Sequence, residues 1–255
     1  MQVLRLLPLH PNIVTLYDYF FTPEDRNLYI VMGAQEGNLC HLFKARKGRH
    51  FAGGLVSSLL YQIALGLHHL HSNNYFHRDI LPENVLITTQ GLFEYSPVPV
   101  SPEALPANTF KEKDIFLTAK LCDFGLAKET NTTAPYTEYV AVRWYRAPEV
   151  ILFDPHYTKA IDMWAFGVIA AETLNLTPFF PGTDQIDQIT KICQVLGNPS
   201  DRLYFDLHGS PTNGGAWPAG VQLARNVGFE FPSVCYYCST CGFPSTDPCF
   251  MFVSR

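Results

Sequence analysis

The sequence predicts an α+β fold, mostly helical, with a small sheet confined to its first part. Three observations carry that reading. Leu55, Leu59, Leu60, Ile63, Leu67 and Leu70 recur at helical spacing and predict a helix over residues 55–71. Ile161, Met163, Trp164, Phe166, Val168 and Ile169 predict a second helix over residues 160–174. It is apolar almost all round, as the buried centre of a helical lobe would be. Two β-branched and aromatic runs, residues 13–21 and 28–32, predict strands joined as a hairpin by the turn 22–27.

The remaining elements follow in chain order. Residues 1–9 read as the end of an amphipathic helix, with Val3, Leu4, Leu6 and Leu7 apolar. Gly33 and Gly37 loosen the chain after the hairpin. Beyond the first long helix, residues 85–87 read as a short buried strand and 119–122 as its partner. Between them, residues 89–117 carry Pro97, Pro99, Pro102 and Pro106, far more than a hairpin needs, and read as an inserted loop. Residues 186–196 form a third, amphipathic helix. From Gly197 onward the pattern dissolves into Gly, Pro and Asn.

Composition narrows the class. A chain of 255 residues can build one large core or two small ones. With 47% hydrophobic and 16% charged residues it is globular. A net charge of -5 gives no electrostatic case for nucleic acid or an anionic membrane. No apolar run reaches membrane-spanning length, and the stretch before Pro8 is too short for a secretory signal. Seven cysteines, four of them (Cys235, Cys238, Cys241, Cys249) crowded into the tail, suit a reduced, intracellular chain of cytoplasm or nucleus. The tail spacing is too tight for zinc knuckles, so residues 233–255 are read as an unrelated, disordered tail. His68, His69, His71 and His77 look metal-like in isolation, but a helix end and the motif that follows account for them better.

That motif is His77-Arg78-Asp79-Ile80-Leu81-Pro82-Glu83-Asn84, an acid, an amide and a Pro-bounded turn just after a helix. Asp123-Phe124-Gly125 and Ala147-Pro148-Glu149 follow downstream. Three such motifs in this order resemble the catalytic half of a eukaryotic protein kinase. The segment from Thr137 through Leu152 resembles the activation segment of the cyclin-dependent and MAP kinase group. The Pro-rich insertion and residues 179–197 are most similar to the male-germ-cell-associated and fungal meiosis-inducing kinases. The resemblance implies a protein-kinase-like fold: a mostly helical C-lobe with only a remnant of the N-lobe sheet, the end of helix C and two strands. Residues 1–232 would be a partial kinase domain, with 1–33 the N-lobe remnant and hinge, 34–232 the C-lobe, and the inserted loop at about 90–116.

The resemblance also implies roles, in a reaction that is mostly positioning and charge stabilisation. Asp79 would accept the substrate hydroxyl proton. Asn84 and Asp123 would offer the hard oxygen ligands that Mg2+ requires beside ATP. Leu86 would floor the adenine, and the backbone of Met32, Gly33 and Ala34 would bond its edge. His77 and Phe124 would stack, Gly125 would complete its motif, and Asp162 would brace the catalytic-loop backbone. Thr137 and Tyr139 form a Thr-x-Tyr pair whose phosphorylation would recruit arginines such as Arg78 and Arg143; ordinary loop residues are the alternative.

Departures from the pattern predict impairment. Leu81 stands where the family carries a catalytic-loop lysine, and Val142 where a threonine bridges that lysine to the aspartate. No Gly-rich loop or strand lysine occurs, Met1 falls near the helix C glutamate, and the closing helices are missing, so the chain is expected to be truncated at both ends. Glu149 would then lack its arginine and lie buried and unpaired. The reading is a serine/threonine-kinase-like protein, impaired or inactive, with a protein substrate or docking partner. The alternatives are a pseudokinase-type module docking through residues 186–196 and the activation segment, and a degenerate fragment that folds poorly.

Overall fold

The computed structural model describes residues 2–24, 26–90, 116–130, 136, 141–200 and 215–231. In chain order the elements are α1 (Gln2–Leu6), β1 (Leu16–Thr22), β2 (Asn27–Met32), β3 (Gly37–Asn38), α2 (Leu39–Arg46), α3 (Gly53–Ser72), β4 (Tyr75–Phe76), β5 (Val85–Gln90), β6 (Phe116–Leu121), β7 (Lys128–Glu129), α4 (Pro148–Ile151), α5 (Ala160–Asn175), α6 (Gln185–Leu196) and α7 (Pro218–Asn226). They divide into two compact units. One holds Met1–Ala134, Val140–Tyr145 and Thr158–Phe179; the other holds Pro135–Tyr139, Arg146–Tyr157 and Phe180–Arg255.

In the first unit α3 is the central post. Its helical stripe Leu59, Ile63, Leu67 and Leu70 is almost fully buried, and it packs on β4, β6 and α5. β5 and β6 pair antiparallel from Val85↔Leu121 to Gln90↔Phe116, with β3 on the outer side of β5. β4 pairs with β7, and β1 with β2. Asn12 ties the front of the chain to this frame. Its side-chain Nδ2 donates to the Ala119 carbonyl at 2.9 Å, and its own carbonyl accepts the Leu121 N–H at 2.9 Å.

The structure moves several sequence expectations. The first strand starts at Leu16 rather than Ile13, because Ile13 bridges to Leu121 and the Val14 N–H donates to the Leu121 carbonyl. The β5–β6 ladder runs to Gln90 and Phe116, so Thr88 and Thr89, both β-branched, extend the strand into the expected insert; residues 91–115 lie outside the described set. The 160–174 helix is not buried all round. Ile161, Ala165, Val168 and Ile169 form its buried face, while Met163 and Leu174 are exposed. Two helices escaped the sequence reading. α2 starts where the Asn38 side chain accepts the His41 N–H at 2.9 Å, and α7 starts at Pro218, its first residue; each start carries a recognisable signal.

In the second unit, Asp184 caps α6 through the Asp187 N–H, and Ile189, Ile192 and Cys193 form its buried face. α4 packs against α6 and α7.

Two glycines of α3 make opposite demands. A Cβ on Gly66 would lie 2.8 Å from the Asn12 carbonyl oxygen, whereas a Cβ on Gly54 meets nothing within 4 Å. Gly66→Ala is therefore expected to destabilise by about 1–3 kcal/mol despite the better helix former. Gly54→Ala should stabilise by about 0.5–1 kcal/mol. Urea unfolding of both variants checks the contrast.

Candidate active site

The site begins where α3 ends. Asn73 closes the helix by donating its N–H to the His69 and Leu70 carbonyls, and Asn74 turns the chain in the left-handed region at φ 62°. The short strand β4 then leads into His77. From there the backbone is held by one carboxylate. Asp162 sits in the first turn of α5 at 1% exposure; its Oδ2 accepts the His77 N–H at 2.8 Å and its Oδ1 the Arg78 N–H at 2.9 Å. His71 Nε2 lies 2.8 Å from the same Oδ2. Arg78 itself is left-handed at φ 68°, a conformation costing roughly 1–3 kcal/mol for a residue with a Cβ. The charge-assisted bonds from Asp162 offset that strain.

The bend delivers Asp79 to a half-buried position. Pro82 opens a 3₁₀ turn over Pro82–Asn84, and the Asn84 N–H donates to the Leu81 carbonyl. Asn84 Nδ2 then reaches back to the Asp79 carbonyl at 2.9 Å and to Asp79 Oδ2 at 3.0 Å. Burial pushes the Asp79 carboxyl above the ordinary aspartate value; His77 and the Asn84 bond pull it back, and Asp123 adds to the rise. Because Asn84 spends its amide N–H on Asp79, its Oδ1 is the atom left to accept a cation.

Asp123 reaches the same place along β6. The Cys122 N–H donates to the Asn84 carbonyl at 3.0 Å, and Asp123 turns left-handed at φ 58°. Asp123 Oδ1 accepts the Gly125 N–H at 3.1 Å, and the residue is exposed. Two oxygen-bearing side chains on adjacent, hydrogen-bonded segments make a donor set suited to Mg2+. His77 is fully buried, its Nε2 2.9 Å from the Cys122 carbonyl, and burial holds its pKa below the ordinary histidine value. Its ring meets Phe124 at 4.8 Å, tilted by 58° rather than stacked. Arg78 Nε donates to the Leu126 carbonyl at 2.6 Å.

The other sequence-identified residues fall as follows. Leu86 is half-buried in β5; Met32 ends β2 at 40% exposure, the Gly33 N–H donates to the Thr15 carbonyl, and Ala34 follows β2. Arg143 opens a 3₁₀ turn over Arg143–Tyr145, while Thr137 and Tyr139 lie outside the described residues. Leu81 is 7% exposed and Val142 47% exposed, so the two apolar replacements are placed differently. Glu149, in α4, is half-buried rather than fully buried, and no lysine or arginine of the described residues pairs with it. Burial raises its pKa above the ordinary glutamate value. Sequence reasoning missed Asn12, the contact of His71 with Asp162 and a buried bond from Tyr145 Oη to Glu172 Oε2 at 2.8 Å.

The family model for the protein kinase domain matches residues 1–210. The meiosis induction protein kinase IME2/SME1 of Saccharomyces cerevisiae is 38% identical over 89% of this chain and 34% of its own length. Cyclin-dependent kinase F-4 of rice is 40% identical, covering 88% of this chain and 40% of the relative. The human serine/threonine-protein kinase MAK is 37% identical over 88% of the chain and 29% of the relative. The chain thus spans about a third of the length of such relatives. A chain of the yeast RNA Pol II CTD kinase CTDK-1 complex superposes with a TM-score of 0.61 at 27% identity, covering 76% of this chain and 55% of that one.

Two measurements probe the frame. Asp162→Ala strands two buried N–H groups and should cost about 3–5 kcal/mol in urea unfolding, with Asp162→Asn milder because one acceptor oxygen remains. Glu149 titrates higher folded than unfolded. It therefore costs nothing below the ordinary glutamate range, and it erodes stability as pH climbs from that range through its raised folded value. Glu149→Gln is expected to raise Tm by about 1–3 °C at pH 7 and to lose that advantage at pH 4.

Proposed function

Because this chain belongs to the protein kinase family, among its serine/threonine kinases, we propose that it keeps the acid and metal set of phosphoryl transfer but is impaired in the transfer itself. The family reaction moves the terminal phosphate of MgATP to a protein hydroxyl. Asp79 is the base, held by Asn84 Nδ2 and half-buried so that its carboxylate retains basicity. Asn84 Oδ1 and Asp123 are the ligands that would hold magnesium. The metal, when bound, neutralises the phosphate oxygens. Leu86 and the hinge backbone of Met32, Gly33 and Ala34 bind the adenine.

The observation that carries the impairment is Leu81. A hydrocarbon that is 7% exposed stands two residues after the base, where the family places an ammonium group. It offers neither charge nor hydrogen bond to a phosphate developing negative charge. Loss of one such donor lowers turnover by about 10²–10³-fold. Val142, also apolar, removes the hydroxyl that would have tied a lysine to Asp79. Impairment therefore rests on residues inside the chain.

A second reading, a docking module without catalysis, draws on α6: Ile186 is 66% and Val195 49% exposed, while Ile189, at 3%, belongs to the core.

The test is phosphotransfer from radiolabelled MgATP to a generic basic protein by the full-length protein. Turnover should sit at least about 10²-fold below that of the Leu81→Lys, Val142→Thr variant, and MgATP should raise Tm of both. Wild-type turnover equal to the variant's, and abolished by Asp79→Ala, would refute impairment. No Tm shift with MgATP in either protein would leave the docking reading standing.

A further inference from the structure

Two histidines meet where the front of the chain crosses α3. His10, in the turn between α1 and β1, stacks on His69 of α3, with ring centroids 4.6 Å apart and planes inclined by 20°. The partner of His10 dictates its protonation. His10 Nδ1 lies 3.1 Å from the Asn12 nitrogen, whose N–H can only donate, so Nδ1 accepts and carries no proton. His69 Nε2 lies 2.9 Å from the Pro8 carbonyl and therefore donates. Asn12 carries the consequence further. Its Nδ2 donates to the Ala119 carbonyl at 2.9 Å and to Gln62 Oε1 at 3.2 Å, and its own carbonyl accepts the Leu121 N–H. Gln62 in turn donates to the Leu117 carbonyl and accepts the Ala119 N–H. Leu117, Ala119 and Leu121 alternate along β6, so these bonds line one edge of it. That strand ends at Leu121, two residues before Asp123.

We propose that His10 is an acid-sensitive latch on the edge of β6. Proton uptake at Nδ1 turns the acceptor into a second donor facing the Asn12 N–H. It also sets a cation against the His69 ring. The turn then lets go of α3, and the Asn12 and Gln62 bonds to β6 slacken with it. Nothing nearby offsets such a charge. α1, α3 and β6 contain no Asp or Glu; His68 and His69 face His10 from α3 and Lys120 from β6, and α1 carries Arg5. Burial, then His69, Lys120 and His68, hold the His10 pKa below the ordinary histidine value. The latched chain therefore binds this proton less readily than the unlatched one. The latch is closed above the ordinary histidine range, and it loosens as pH falls from that range through the lowered folded value. The device does not rest on the proposed catalytic reading, since neither histidine belongs to the acid and metal set.

The experiment is amide hydrogen exchange of the full-length protein, read by mass spectrometry over residues 117–121 at about pH 7.5 and about pH 5. Each variant is compared with wild type at the same pH, so the intrinsic effect of acid on exchange cancels. His10→Asn keeps an oxygen that can accept the Asn12 N–H, and it does not titrate. It is expected to match wild type at the higher pH and to exchange about fivefold more slowly at the lower, the factor that one hydrogen bond is worth. His10→Leu has no acceptor. It should exchange about fivefold faster than wild type at the higher pH and like wild type at the lower. Equal exchange of wild type and His10→Asn at the lower pH overturns the proposal. So does a His10→Leu chain as well protected as wild type at the higher pH, because the Nδ1 bond would then hold nothing.

Discussion

The carboxylate of Asp162 is the constraint on which the rest of the first unit depends. It receives two consecutive backbone N–H groups and an imidazole in a place where water does not reach. A buried ion stripped of its partners would be expensive, so the partners must stay where they are. Holding them fixes the left-handed Arg78, and through Arg78 the positions of Asp79 and of the turn that carries Asn84. The fixed point lies on a helix far along the chain, and the chemistry lies on the loop it grips.

Much of this was legible in the residues, for reasons that differ by element. α3 and α5 announce themselves because a long amphipathic or apolar helix repeats its signal over many turns. Asp79, Asn84 and Asp123 were legible because three motifs in order, around His77, Asp123 and Ala147, resemble those of protein kinases. What stayed hidden was polar and distant. Asn12 reaches Ala119 and Leu121, and Tyr145 reaches Glu172; neither contact has a local pattern. The exposure of Met163 escaped for the opposite reason, since composition alone cannot tell which side of an apolar helix finds a neighbour. Helix α2 escaped because it is only eight residues long and sits among glycines.

Electrostatics gives the site its character. Asp79, Asp123 and Glu83 gather negative charge around the loop, and the last two add to the rise that burial causes in the Asp79 pKa. In the family such a cluster is balanced by a lysine on the same loop. Here that position is a buried leucine, which brings no charge to balance it.

The β5–β6 ladder has a further consequence. Asn84 lies just before β5 and Asp123 two residues after β6, and the ladder from Val85↔Leu121 to Gln90↔Phe116 brings them together across the intervening chain. The entropic cost of closing such a loop grows only slowly with its length, roughly 0.6 kcal/mol per doubling. The native state therefore tolerates an insertion at this hairpin with little loss. The order of folding is another matter, because pairings across a long separation form late. α3 and its turn would form first and hold one half of the candidate site waiting for the other. A longer or shorter insertion would change how fast the site is completed far more than how stable it is afterwards.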